Sequence, residues 1–243
     1  MNNQSERKGF SFKISLSVLN HLGRNLYRSF ATVLGEAISN AWDANAEDVY
    51  IYIDKDENSF FIKDDGIGMA ADDFQNKFLK IGYSKRREGK TSPPPKNRPY
   101  IGRKGIGKLA LLSCAEKITV ISKKEDGKYV GGVIDNSDLD EAIKDDVAAD
   151  EYSLGKCNLA TFLNYTKGHE KGTIVYFEDI EEGMKHSPGF YKKIMALYFR
   201  FSLLDKNFRM FINDDEITLE CLRDLVLSTQ FLWKIHELQD PYI

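Results

Sequence analysis

Glu36, Asn40 and Asp43 stand four and three residues apart in the stretch Thr32–Ala46, so a helix carries their side chains along one face. A carboxylate, an amide and a second carboxylate together form either a wet site or an ordinary solvated stripe. A helix-borne carboxylate such as Glu36, if it faces a phosphate pocket, orients and deprotonates water. A second group is Asp64-Asp65-Gly66-Ile67-Gly68-Met69. It places the Asp64 carboxylate at a strand end, where it can accept a hydrogen bond from an exocyclic amine. Gly66 and Gly68 would let a flat ligand lie against backbone, and the bland reading is an Asp-Gly turn. The third is Gly102-Arg103-Lys104-Gly105-Ile106-Gly107-Lys108, a glycine run opening a helix. Its backbone N–H groups would cradle an anion, with positive charge from Arg103, Lys104 and Lys108, or else form a tight turn and helix cap. A P-loop is excluded because Leu109 stands where a Ser or Thr hydroxyl is needed. The GxGxxA matches at Gly66 and Gly105 lack the strand–helix context of dinucleotide binding.

The positioning elements follow from periodicity. Phe30, Val33, Leu34, Ala37, Ile38, Ala41 and Trp42 recur at three and four residues, predicting a core-facing helix over about 24–45. Before it, Phe10–Asn20 alternates weakly, as a short strand and turn. After it, Val49, Ile51 and Ile53 alternate with Tyr50 and Tyr52, and Ser59–Lys63 reads as the returning strand of a hairpin. A helix is expected over Ala71–Ile81. Residues 84–100 are basic and carry three consecutive prolines, which exclude helix and ladder strand and predict a long loop. Strands are expected at 118–123, 129–134, 158–165 and 173–178, with the acidic run Asp135–Asp150 as a surface excursion. A helix follows over 190–204, then a hairpin around Asn213–Asp215 and a helical, apolar end from Glu220.

Composition bounds the function. The chain has 243 residues and a net charge of −3, which gives no general electrostatic case for nucleic acid. Cys114, Cys157 and Cys221 are odd in number and far apart, fitting a reducing compartment and no zinc spacing. The polar start and the lack of a long apolar run imply a cytoplasmic protein without membrane attachment.

Taken together and in order, the three segments resemble the nucleotide-binding boxes of the GHKL ATPases, the superfamily of gyrase B, Hsp90, histidine kinases and MutL. Lys171-Gly172-Thr173 resembles the Gly-Thr strand that closes the family's adenine pocket, and the likeness covers roughly residues 15–180. The resemblance implies the Bergerat fold, an α/β two-layer sandwich with a mixed, mainly antiparallel sheet and helices on one face. It implies ATP and Mg2+ as cofactors. Glu36 would be the general base, Asn40 the magnesium ligand, and Asp43 a helper near the adenine side. Asp64 would read the adenine amino group, with Thr173 supporting it through water. Gly66, Gly68 and Met69 would line the base. Gly102, Arg103, Lys104, Gly105, Ile106, Gly107 and Lys108 would hold the phosphates, with Lys85 reaching in from the lid. Asp43, where histidine kinases carry a basic residue, places the chain near the hydrolysing Hsp90-like and MutL/MORC-like branch. Residues 1–204 would form the ATP-binding domain and 205–243 the start of a second. ATP binding and hydrolysis would drive lid closure and an ATP-dependent homodimer, acting on a client protein or DNA. Turnover in these residues would be slow, because no phosphate-sensing Lys or Arg of a second domain can be located in them. The alternatives are a nucleotide-gated binding module with negligible turnover and a histidine-directed phosphotransferase.

Overall fold

The computed structural model describes residues 15–18, 21, 29–80, 98–102, 110, 114–149, 151–180 and 184–231. Its first long helix, α1 (Phe30–Asp43), buries all seven apolar residues named above in the main core, and Asp43 with them. Asn45 follows the helix in left-handed backbone at φ 60°. The amides of Asn45 and Ala46 fold back onto the Trp42 and Ala41 carbonyls, as at many helix C-termini. β1 (Asp48–Asp54) starts at once and pairs antiparallel with β2 (Ser59–Asp64).

A short helix, α2 (Ala71–Asp73), continues as a π-turn over Phe74–Phe78. Then come β3 (Ala115–Lys123), β4 (Val130–Asp135), α3 (Asn136–Lys144), a 3-10 turn (Leu159–Phe162), α4 (Leu163–Thr166) and β5 (Gly172–Ile180). The described chain closes with α5 (Pro188–Tyr198), β6 (Arg209–Ile212), β7 (Asp215–Glu216) and α6 (Arg223–Leu227). The sheet has seven strands in the order β4-β3-β5-β2-β1-β6-β7. Its pairs are antiparallel except β1 with β6, which run parallel. This is the mixed, mainly antiparallel α/β fold that the resemblance implies. α1 packs against α5, and both share the main core with the inward residues of the sheet. Val175 and Phe177 of β5 face that core, while Ile174 and Tyr176 face a smaller cluster with Phe162 and Tyr165 on the opposite side.

Two local expectations fail. The strand expected at 158–165 is instead the 3-10 turn and α4, because Asn158 turns its side-chain oxygen back to the Ala160 amide and caps a helical start. The acidic run does lie mostly at the surface, and it is helical there: Asp135 caps α3 by accepting from the Ser137 amide, and Leu139 of that helix is buried. Leu16, expected in a strand, lies in a helical turn over 16–18. Most of the expected strand and turn at 10–20 lies outside the described residues.

Candidate functional site

Asp64 ends β2, flanked by β1 and β5 near the middle of the sheet, and is 9% exposed. Its Oδ1 accepts hydrogen bonds from the Gly66 amide (2.9 Å) and the Thr173 amide (3.3 Å). Thr173 therefore reaches the carboxylate directly, through its main chain. Its hydroxyl lies 3.0 Å from Ser122 Oγ, which also accepts from the Met69 amide at 3.0 Å. The two glycines have structural reasons of their own. A Cβ on Gly66 would press on the Ala44 side chain at 2.8 Å and on Asp64 Oδ1 at 2.9 Å. Gly68 has φ +63°, and a Cβ there would overlap the Lys123 carbonyl. The space beside both is filled by protein, and the Ile67 amide donates to the Ala44 carbonyl at 2.8 Å. The end of α1 and the Asp64–Met69 turn are thus locked together. Asp65, next in the chain, serves β1 by accepting from the Glu47 and Asp48 amides.

The polar stripe of α1 is graded in burial. Asn40 is exposed, Glu36 is half-buried and Asp43 is 5% exposed. Burial, and then the nearby negative charge of Asp43, push the Glu36 carboxyl above the usual carboxylate range. Asp43 accepts from the Ile101 amide at 2.9 Å and the Gly102 amide at 3.1 Å, one on each oxygen. It ties the start of the glycine run to the helix that bears Glu36 and Asn40. Lys85, Arg103, Lys104, Gly105, Ile106, Gly107 and Lys108 lie outside the described residues.

Three side chains around the site carry little sequence signal. Arg98 belongs to the basic, proline-rich stretch, yet it is 4% exposed. Its guanidinium donates to Asp205 Oδ2 (2.8 Å), the Asn207 carbonyl (2.6 Å) and the Ala46 carbonyl (2.5 Å). It also lies 4.7 Å from the Trp42 ring centroid, and the Trp42 indole donates to the Pro99 carbonyl. Ser122 reads as one more strand residue and His169 as an isolated histidine. Their partners Met69 and Asp64 lie 53 and 105 positions away in sequence, beyond any local pattern.

Comparison with known proteins decides the family. The model of the histidine kinase-, DNA gyrase B- and HSP90-like ATPases matches residues 27–156, more than half of the chain. The chain belongs to this family. The match spans Glu36–Asp43, Asp64–Met69 and Gly102–Lys108, with Thr173 beyond its end. Among relatives of this GHKL domain is the "Putative type II restriction enzyme HgiDII" of Herpetosiphon aurantiacus, 32% identical over 225 residues, covering 93% of this chain and 35% of that protein. The chaperone protein HtpG of Campylobacter jejuni is 31% identical over 166 residues, covering 54% of the chain and 27% of the chaperone. The endoplasmin homolog of Dictyostelium discoideum is 31% identical over 151 residues, covering 51% and 20%. The chain thus spans about a third or less of the length of these relatives.

Proposed function

We propose that this GHKL domain binds ATP with magnesium between α1 and the lid, with the base at Asp64, and hydrolyses it. The supporting observation is Asp64: a buried carboxylate at a strand end, anchored on one oxygen by the Gly66 and Thr173 amides. A carboxylate held in that way suits recognition of the adenine amino group, and a hydrogen bond to it contributes roughly 1.5–3 kcal/mol. Asn40 fits a magnesium site, because it is an exposed amide residue one helical turn from Glu36 on α1, and oxygen donors suit that ion. Magnesium, when bound, supplies charge neutralisation on the phosphate oxygens. Glu36, its carboxyl raised by burial and Asp43, orients a water and takes its proton. Asp43 acts by positioning: it accepts from the Gly102 amide and so ties the start of the glycine run to α1. Gly105, Gly107 and Lys108 complete the phosphate cradle, and Lys85 approaches from the lid. ATP binding and hydrolysis drive lid closure and dimerisation. The broad match to a restriction enzyme, against the half-length match to chaperones, favours a DNA-associated setting.

The test is phosphate release and nucleotide binding by the wild type and by Glu36→Ala. The variant is expected to bind ATP as the wild type does and to release phosphate at least about a hundredfold more slowly. Equal release by both proteins would remove Glu36 from its role. Tight binding with no release by either would favour a nucleotide-gated module.

A further inference from the structure

The main chain of Asp64 is held by a side chain where a strand neighbour would be expected. β2 and β5 pair from Phe60 with Phe177 to Lys63 with Ile174. One position further, the Thr173 amide turns to the Asp64 carboxylate instead. The Asp64 carbonyl lies 2.8 Å from His169 Nε2. A carbonyl only accepts, so Nε2 carries the hydrogen and donates it. On the other side of the ring, Nδ1 lies 2.8 Å from the Tyr129 hydroxyl. In a neutral imidazole protonated at Nε2, Nδ1 accepts and Tyr129 donates. The two rings are near parallel, with centroids 5.9 Å apart, and His169 is 6% exposed. Burial, with Lys63 on β2 and Lys123 on β3 adding positive charge, keeps the ring neutral at neutral pH. The bond to the Asp64 carbonyl and the Asp65 carboxylate oppose that shift without reversing it.

We propose that His169, with Tyr129 behind it, is a positioning residue for the base-reading carboxylate. It fixes the peptide plane that follows Asp64 and so the direction in which the carboxylate meets the base. The proposal rests on the adenine reading of Asp64 given above. Any buried imidazole needs a partner on each nitrogen; what singles out His169 is that one of its partners is the main chain of the base-reading residue itself. Removing the Nε2 donor takes a hydrogen bond from a buried carbonyl and loosens that plane. The loss then falls on recognition of the base, while phosphate contacts persist.

Calorimetric titration with ADP, with GDP as competitor, tests this at a temperature well below the melting point of each variant. His169→Leu is expected to weaken ADP by about tenfold, the equivalent of one buried hydrogen bond, with GDP affected less. His169→Gln, whose amide reaches about as far as Nε2, is expected to recover most of that loss. Tyr129→Phe should weaken ADP in the same direction and carries the test if His169→Leu does not fold. Wild-type ADP affinity in a folded His169→Leu, or in Tyr129→Phe where His169→Leu does not fold, would overturn the proposal. So would failure of His169→Gln to recover binding while folded. Absence of ADP binding by the wild type would instead refute the adenine reading itself.

Discussion

Glu36 and Asp43 share one helix face, yet their surroundings give them different work. Asp43 turns one oxygen to the Ile101 amide and the other to the Gly102 amide, so its charge is fixed in place beside Glu36. That charge, added to burial, raises the pKa of Glu36. A base with a raised pKa stays protonated to higher pH, so the acid limb of ATP turnover should lie above the ordinary glutamate value of about 4.3. Asp43→Asn removes the repulsion and should move that limb to lower pH, whatever it does to the maximal rate. A pH–rate profile of the two proteins checks this, and an unmoved or upward-moved limb would contradict it. The stripe itself is legible in the sequence because helical spacing alone brings Glu36, Asn40 and Asp43 together. What Asp43 bonds to is not legible, since Ile101 and Gly102 are reached only through the tertiary fold.

Elements are legible where burial imposes a period. α1 and the β1–β2 hairpin show their inward residues directly in the sequence, because one face of each is packed. Residues 158–165 mislead because apolar and aromatic residues there suit a strand, while a side-chain cap decides for a helical turn. Arg98 misleads for a related reason: charge in a proline-rich stretch reads as surface, and its burial depends on Asp205, Asn207 and Trp42 brought in by other elements. Its guanidinium bonds the Ala46 carbonyl, between α1 and β1, and the Asn207 carbonyl, just before β6. Arg98 thereby anchors the stretch that leads into Ile101 and Gly102. Breaking a buried ion pair by removing one partner costs about 3–5 kcal/mol, and the low end applies here because Asp205 is a quarter exposed. Arg98→Ala should therefore lower the melting temperature by roughly 6–12 °C, at about 2–4 °C per kcal/mol for a chain of this size. A melting point unchanged in thermal denaturation would show that the anchor contributes nothing.

The strand order is not legible, because β5 enters between β3 and β2 from far along the chain and β6 joins β1 in parallel. The three-segment pattern is legible, since its residue types and order survive without knowledge of the strand order, and the family match over residues 27–156 includes all three segments. The topology explains how two of them meet: β2 delivers Asp64 between β1 and β5, and α1 ends against the turn that follows it. No helix among the described residues is long and apolar enough to cross a membrane. On the proposed reading, this convergence encloses an adenine nucleotide, with Asp64 reading the base. Isothermal titration of ADP with magnesium into the wild type and into Asp64→Asn tests it most directly. A single-site isotherm for the wild type, weakened at least about tenfold in the variant, is the expected result. Equal affinity in both proteins, or no heat of binding for the wild type, would contradict it.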